Sequence, residues 1–363
     1  MMRVLKLLIL TTTCFLLTCT TENPLSSPQV HTVEFLSPAF HIDRIYRSME
    51  GPSHTLPVSL STGGPAELAW ITAIHMESVD LEGNLIDAQD KLCHVNVNFT
   101  DPNRWQENSQ KLFGGKRGSP AKWFVLVQGQ YSVDFPEGLG IPVYTDEPLE
   151  MFSMAFNLDP EVQDLDMRLR LRLDYLKHSE LTKPMTALSR SGLANSVDLD
   201  SAGAIPEHDE PSSCSLHADE GTGRPSNARS VTTDSSGKRT TTHFMVPPGR
   251  HVYRDEFRLG GDQKVHYMHA HLHLYGESVE LVDEGTGESV FKSVATPNKG
   301  LTGIDNMTHF SSSASSPITL QKDHTYALVS TYHNTTDHDI DAMAMLYIYF
   351  ENGSFHAPPP SGG

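Results

Sequence analysis

The sequence predicts an all-β protein built as two tandem β-sandwich, jelly-roll-like domains joined by a polar linker or long loop. Its apolar segments are short and separated by Gly, Pro, Asn and Asp, and no long stretch carries the period of an amphipathic helix. Several segments alternate with period two, most strictly M-R-L-R-L-R-L from Met167 to Leu173. Length supplies the second domain, because a mature chain of about 345 residues is too long for one compact core.

The first residues read as an address. Met1 to Thr18 carries Arg3 and Lys6, then an apolar run from Leu7 to Leu17, the layout of a secretory signal and too short to span a membrane. The following L-L-T-C resembles a bacterial lipobox, which implies an exported protein anchored to the cell envelope through a lipid on Cys19. Thr18 stands where a smaller residue is usual, so a soluble periplasmic or secreted product is the alternative. Loss of Arg3 and Lys6 takes the formal charge from −18 to about −20. Such an acidic surface argues against nucleic acid or anionic lipid as a partner.

Residues 19–35 are polar, with Pro24 and Pro28, and read as a tether. Residues 36–178 form the predicted first domain, with strands at Leu68–His75, Cys93–Phe99, Trp123–Val127, Gly140–Tyr144, Leu149–Leu158 and Met167–Leu176. Arg168, Arg170 and Arg172 fall on one face of the last of these, and a solvated face explains them better than an anion site. Residues 179–241 turn polar and read as a linker or loop. Residues 242–353 form the predicted second domain, with strands at Thr242–Val246, Val252–Leu259, Val265–Leu274, Ser278–Val282, Glu288–Val294, Tyr326–Tyr332 and Ala342–Phe350; residues 354–363 are a Pro/Gly tail. Cys93 and Cys214 follow the leader, and in an exported chain a disulfide between them is one reading.

The chemistry concentrates in V-H-Y-M-H-A-H-L-H-L-Y-G, Val265 to Gly276. On a strand His269, His271 and His273 share one face, while Met268, Ala270, Leu272 and Leu274 share the other. Imidazoles in phase suit a transition metal, and a solvated histidine-rich surface is the plainer alternative. D-A-M-A-M-L-Y-I-Y-F, Asp341 to Phe350, places Met343, Met345, Tyr347 and Tyr349 on one face. A methionine row is commonly core, yet two histidines with a thioether favour copper over zinc.

Together these residues resemble the C-terminal copper domain of the ascorbate-dependent type II copper monooxygenases, the group of peptidylglycine α-hydroxylating monooxygenase and dopamine β-monooxygenase. The resemblance rests on H-L-H-L-Y-G at His271–Gly276, on the methionine strand, and on T-Y-H-N-T-T-D at Thr331–Asp337. M-V-P-P-G at Met245–Gly249 and F-P-E-G-L-G at Phe135–Gly140 add to it, and it covers about residues 65 to 352. It implies copper held by His271, His273 and Met343; in a protein that only holds copper, His269 or His333 would close the site as an additional ligand. A C–H bond would be hydroxylated with O2, and ascorbate or another reductant would supply electrons.

The departures weaken the catalytic half of that expectation. Where the family binds a second copper that relays electrons, this chain has Cys93-His94, and Phe156 and Asn157 stand where a later histidine is expected. Cys93 and His94 remain candidates for an altered second site. Of the positions that grip a peptide substrate in the peptide hydroxylase, only Tyr347 matches; His269 and Met345 replace the others, leaving Tyr347 and His269 as pocket candidates. Three readings follow: a copper monooxygenase, an envelope protein that binds or stores copper without catalysis, and a structural or adhesion module with incidental histidines. The Asn-X-Ser/Thr triplets at Asn98, Asn306, Asn334 and Asn352 distinguish none of them.

Overall fold

The structure, a computed structural model, describes residues 28–46, 50–61, 63–115, 122–162, 164–199, 231–233, 237–313 and 315–357. The leader, the candidate lipid site Cys19 and Cys214 lie outside the described residues. The fold is all-β, as the alternating segments predict, and Pro102–Phe113 is its one α-helix among the described residues. That helix starts where Asp101 accepts hydrogen bonds from the backbone of Asn103 and Arg104, and stops at Gly114, whose φ of 64° suits glycine.

The largest sheet runs His31–Leu36, Leu165–Lys177, Leu68–Val79, Leu139–Tyr144, Thr186–Ala194, Ala344–Glu351, Gln263–Leu272 and Phe310–Ser311. A sheet of Ser53–Val58, Leu149–Ala155, Leu92–Phe99 and Lys122–Val127 faces its N-terminal part. A five-stranded sheet, Gly249–Arg258, Thr325–Asn334, Gly276–Asp283, Glu288–Pro297 and Ile304–Met307, covers its C-terminal part. In the Leu165–Lys177 strand Leu169, Leu171 and Leu173 are wholly buried. The arginines between them face outward, Arg170 bonding Glu77 at 2.6 Å and Arg172 lying 3.6 Å from Asp174, so the row is a charge-paired face.

Three segments read as linkers take part in this framework. His31–Leu36, at the end of the expected tether, pairs with Leu165–Lys177 as an edge strand. H-T-V-E-F-L alternates, and its Val33 and Phe35 reach the core. Thr186–Ala194, inside the expected linker, pairs antiparallel with Ala344–Glu351 and in parallel with Leu139–Tyr144. Its polar composition hides a strand whose hydrogen bonds go to two different halves. The C-terminal tail folds back too: Phe355 packs edge-on to Trp70 at 5.0 Å, and the His356 N–H donates to the Leu112 carbonyl at 2.8 Å.

The two halves are also joined at a turn. The Gly129 carbonyl accepts the Met307 N–H at 2.8 Å, and a Cβ on Gly129 would strike Ile304 at 2.7 Å. Gln128 Oε1 accepts the Ile304 N–H at 2.9 Å, and Tyr131 donates its hydroxyl to the Ile304 carbonyl at 3.1 Å. The halves therefore share one sheet and a docked turn.

Candidate metal centre

The histidine strand, Gln263–Leu272, lies beside the methionine strand, Ala344–Glu351, with His269 opposite Tyr347, His271 opposite Met345 and Leu272 opposite Ala344. Side chains alternate across the sheet, so the two faces have different fates. Tyr267, Met343, Met345, Tyr347 and Tyr349 join the N-terminal core, whereas Met268, Ala270, Leu272, Ala344, Leu346 and Ile348 join the C-terminal core. The alternation expected from sequence is present, but both faces are covered. His269 and His271 sit in the seam between the halves, 0% and 6% exposed.

One side chain continues the register beyond the last rung. The Tyr332 hydroxyl accepts the His273 N–H at 3.2 Å and donates to the Met343 carbonyl at 2.6 Å. Tyr332 is wholly buried, so losing either bond would strand a backbone group in the interior. The glycine that follows the histidine pair has a packing reason: the chain turns from His273 to Gly276, and a Cβ on Gly276 would meet Leu272 at 2.8 Å.

The His271 and His273 rings are 5.2 Å apart between centroids and inclined at 73°. Two imidazoles binding one ion tetrahedrally through nitrogens about 2.0 Å away would have centroids roughly 5 Å apart. Burial lowers the His271 pKa well below its ordinary value, and the neighbouring imidazoles of His273, His94, His243 and His269 lower it further. The ring is therefore neutral at neutral pH and keeps a lone pair. Its Nδ1 is buried with no hydrogen-bond partner, an unmet demand of the kind a bound ion satisfies.

Two residues that the sequence reading passed over complete this group. Asp341 Oδ2 lies 3.1 Å from His273 Nδ1, and its Oδ1 lies 3.7 Å from His243 Nδ1. Pairing of Phe244–Val246 with Ile340–Ala342 sets Met245 opposite Asp341 and brings the preceding His243 alongside. Burial pushes the Asp341 carboxyl up, but the two imidazoles outweigh it and hold the pKa below the ordinary carboxylate range. The sequence held a signal for Asp341, which shares parity with Met343. His243 precedes an unremarkable strand and carried none.

The remaining candidates separate. His269 is wholly buried, its pKa lowered to about 3 by burial and then by Arg190 and His309, and neither ring nitrogen has a hydrogen-bond partner. It packs on Tyr347 at 4.9 Å, whose hydroxyl donates to Met345 Sδ at 3.5 Å and whose ring lies 5.3 Å from the Arg190 guanidinium. His333 is elsewhere: its side chain is half exposed and 3.7 Å from Glu277. In the N-terminal half His94 is buried against Phe152 with Nδ1 3.2 Å from Cys93 Sγ. Asn157 is a loop staple, donating to the carbonyls of Arg44, Asp159 and Val162 at 3.0–3.1 Å and accepting the Asp159 N–H at 3.0 Å.

Among the described residues no group of three or more His, Cys, Asp or Glu side chains is already arranged to hold a metal ion. The His271–His273 pair with the Met343 thioether is a donor set outside that description. It fits copper in kind, because neutral imidazole and thioether are borderline and soft ligands.

No protein-family model matches the sequence, and no curated protein matches it. Solved structures of similar shape include the major capsid protein P2 of bacteriophage PM2, with TM-score 0.32 and 10% identity over 90% of this chain and 98% of that one. PNGase F, a glycosylasparaginase from Flavobacterium meningosepticum, gives TM-score 0.37 and 8% identity over 91% and 99%. VP2 of infectious bursal disease virus gives 0.19 and 11% over 92% and 72%.

Proposed function

We propose that this chain is an exported copper-binding protein of the ascorbate-dependent copper monooxygenase type, holding one copper ion through His271, His273 and Met343. The observation that supports the reading best is the Tyr332 hydroxyl, which ties the His273 amide to the Met343 carbonyl and so holds the backbones of these two residues close together. The spacing of the two rings and the unpartnered Nδ1 of His271 support it. Copper bound there supplies one-electron redox chemistry. The chain supplies the imidazoles of His271 and His273, a covered seam that limits water, and a carboxylate, Asp341, that orients His273.

Retention of copper is the better supported use of the site, and hydroxylation of a C–H bond is the second. Hydroxylation needs a second electron, and the positions that relay it in the resembled family are occupied here by a cysteine-linked histidine and a loop staple. What favours hydroxylation is that His269 and Tyr347, the two positions the resemblance sets at the substrate, lie in ring contact at 4.9 Å. A purely structural role leaves the buried His271 nitrogen without a reason.

Metal analysis of the protein isolated from its native host tests the reading, with about one copper per chain expected. His271→Ala combined with His273→Ala should abolish that copper. Unchanged stoichiometry in the folded double variant would remove the assignment.

A further inference from the structure

Beyond two imidazoles and a thioether, a tetrahedral ion has one position left, and what fills it decides between retention and reaction with dioxygen. The sequence offered His269 and His333 for that place. His333 points into solvent beside Glu277. His269 packs against Tyr347 and Tyr349 at 4.9 and 6.0 Å, on the aromatic side of the seam.

We propose that His243 is the fourth ligand and that Asp341 is the positioning residue that aims both His243 and His273 at the ion. Four distances carry this. The His243 ring centroid lies 5.7 Å from that of His273, which lies 5.2 Å from that of His271, so the three imidazoles form a chain of near neighbours. The Asp341 carboxylate faces Nδ1 of both outer rings, at 3.1 Å for His273 and 3.7 Å for His243. A carboxylate that accepts a hydrogen bond from Nδ1–H leaves the Nε2 lone pair for the metal and fixes the ring's direction.

The spacing also says what must move. A separation of 5.7 Å exceeds the roughly 5 Å of two rings on one ion. On this proposal metal binding would draw the His243 ring about half an ångström toward that of His273. Asp341 is 28% exposed and His243 10%, so this side of the group borders solvent. With His243 in place the coordination sphere is full, which makes copper(I) at this site slow to react with air.

The inference rests on the copper site proposed above, and the test separates the two. In the metal-free protein, nitrogen NMR of the histidine rings should show His273 protonated at Nδ1, with that preference weakened in Asp341→Asn; this reading requires no metal. In the copper(I)-loaded full chain, X-ray absorption should count three nitrogens and one sulfur, falling to two nitrogens in His243→Ala and in His243→Gln. Copper(I) affinity by chelator competition should fall about 10- to 100-fold in Asp341→Asn. Oxidation of the bound copper(I) in air should quicken in both His243 variants. Thermal melting of each variant checks that it is folded. If the His271/His273 double variant loses copper while both His243 variants keep the nitrogen count, affinity and air stability, His243 is not a ligand and the copper site stands. If the double variant keeps its copper, the underlying site itself is overturned.

Discussion

Cys93-His94 with Asn157 in the N-terminal half, and His271 and His273 with Met343 in the C-terminal half, are both sets of polar or sulfur-bearing side chains on strands and strand ends. Their hydrogen bonding differs. Asn157 meets its demand locally through four bonds, and His94 is engaged by the neighbouring thiol and the Phe152 ring. His271 keeps a buried nitrogen with no partner, and the backbones of His273 and Met343 are pinned by a tyrosine that serves them both. A buried polar group that is fully satisfied stabilises the fold; one left unsatisfied costs about 1–3 kcal/mol and calls for a ligand. Of the two sets, the second keeps such a group at His271 and the first meets its demands locally.

The comparison can be broken most forcefully at Asn157. Replacing it with Ala removes four hydrogen bonds and strands the carbonyls of Arg44, Asp159 and Val162, so the expected loss is about 3–5 kcal/mol by urea denaturation. Copper stoichiometry of the folded fraction should not change. Loss of copper from a folded Asn157→Ala protein would mean that the first half supplies more than support.

A second test concerns pH and belongs to the same half. Glu147 is 2% exposed; the Asn108 amide donates to its Oε2, while its Oε1 lacks a partner. Burial, reinforced by Asp146 and Asp101 and opposed by Asn108 and Arg104, raises its pKa from 4.5 to about 7. Below about pH 4.5 the folded and unfolded chains both carry the proton. As pH rises the unfolded chain loses it first, so stability falls up to about pH 7 and then levels, by on the order of 3 kcal/mol. Glu147→Gln should flatten that fall in thermal melts between pH 5 and 8, and an unchanged slope would assign the pH dependence elsewhere. Tyr332→Phe is the smaller counterpart in the other half. It should cost about 2 kcal/mol and weaken copper binding, since the His273 amide and Met343 carbonyl lose their shared partner. Equal copper affinity in the variant would show that the tyrosine holds the fold and not the donors.

How far the sequence could be read depended on whether a feature is periodic. The histidine row, the methionine row and the arginine row each followed from alternation, because period two is a property of one strand considered alone. What alternation could not reveal was where each face points. Met343 and Met345 enter the N-terminal core although they belong to a C-terminal strand, a consequence of one sheet crossing both halves. Thr186–Ala194 escaped notice because its partners, Leu139–Tyr144 and Ala344–Glu351, are distant in sequence and it needs few apolar side chains of its own. His243 was invisible for the same reason: only the pairing of Phe244–Val246 with Ile340–Ala342 brings it to Asp341.

The smallest expected effect is at His94, and it tests the contrast most directly. His94 is one of the imidazoles whose proximity lowers the His271 pKa, so it acts across the seam as a charge that would oppose protonation of His271. Desolvation is the larger cause and survives substitution. His94→Gln should therefore leave His271 neutral at pH 7 by NMR titration and change copper affinity by less than about threefold, well under the 10- to 100-fold cost of losing an orienting partner. A larger loss, with the fold intact, would place His94 among the ligands. The seam would then hold one centre built from both halves, and the division between a supporting half and a binding half would have to be abandoned.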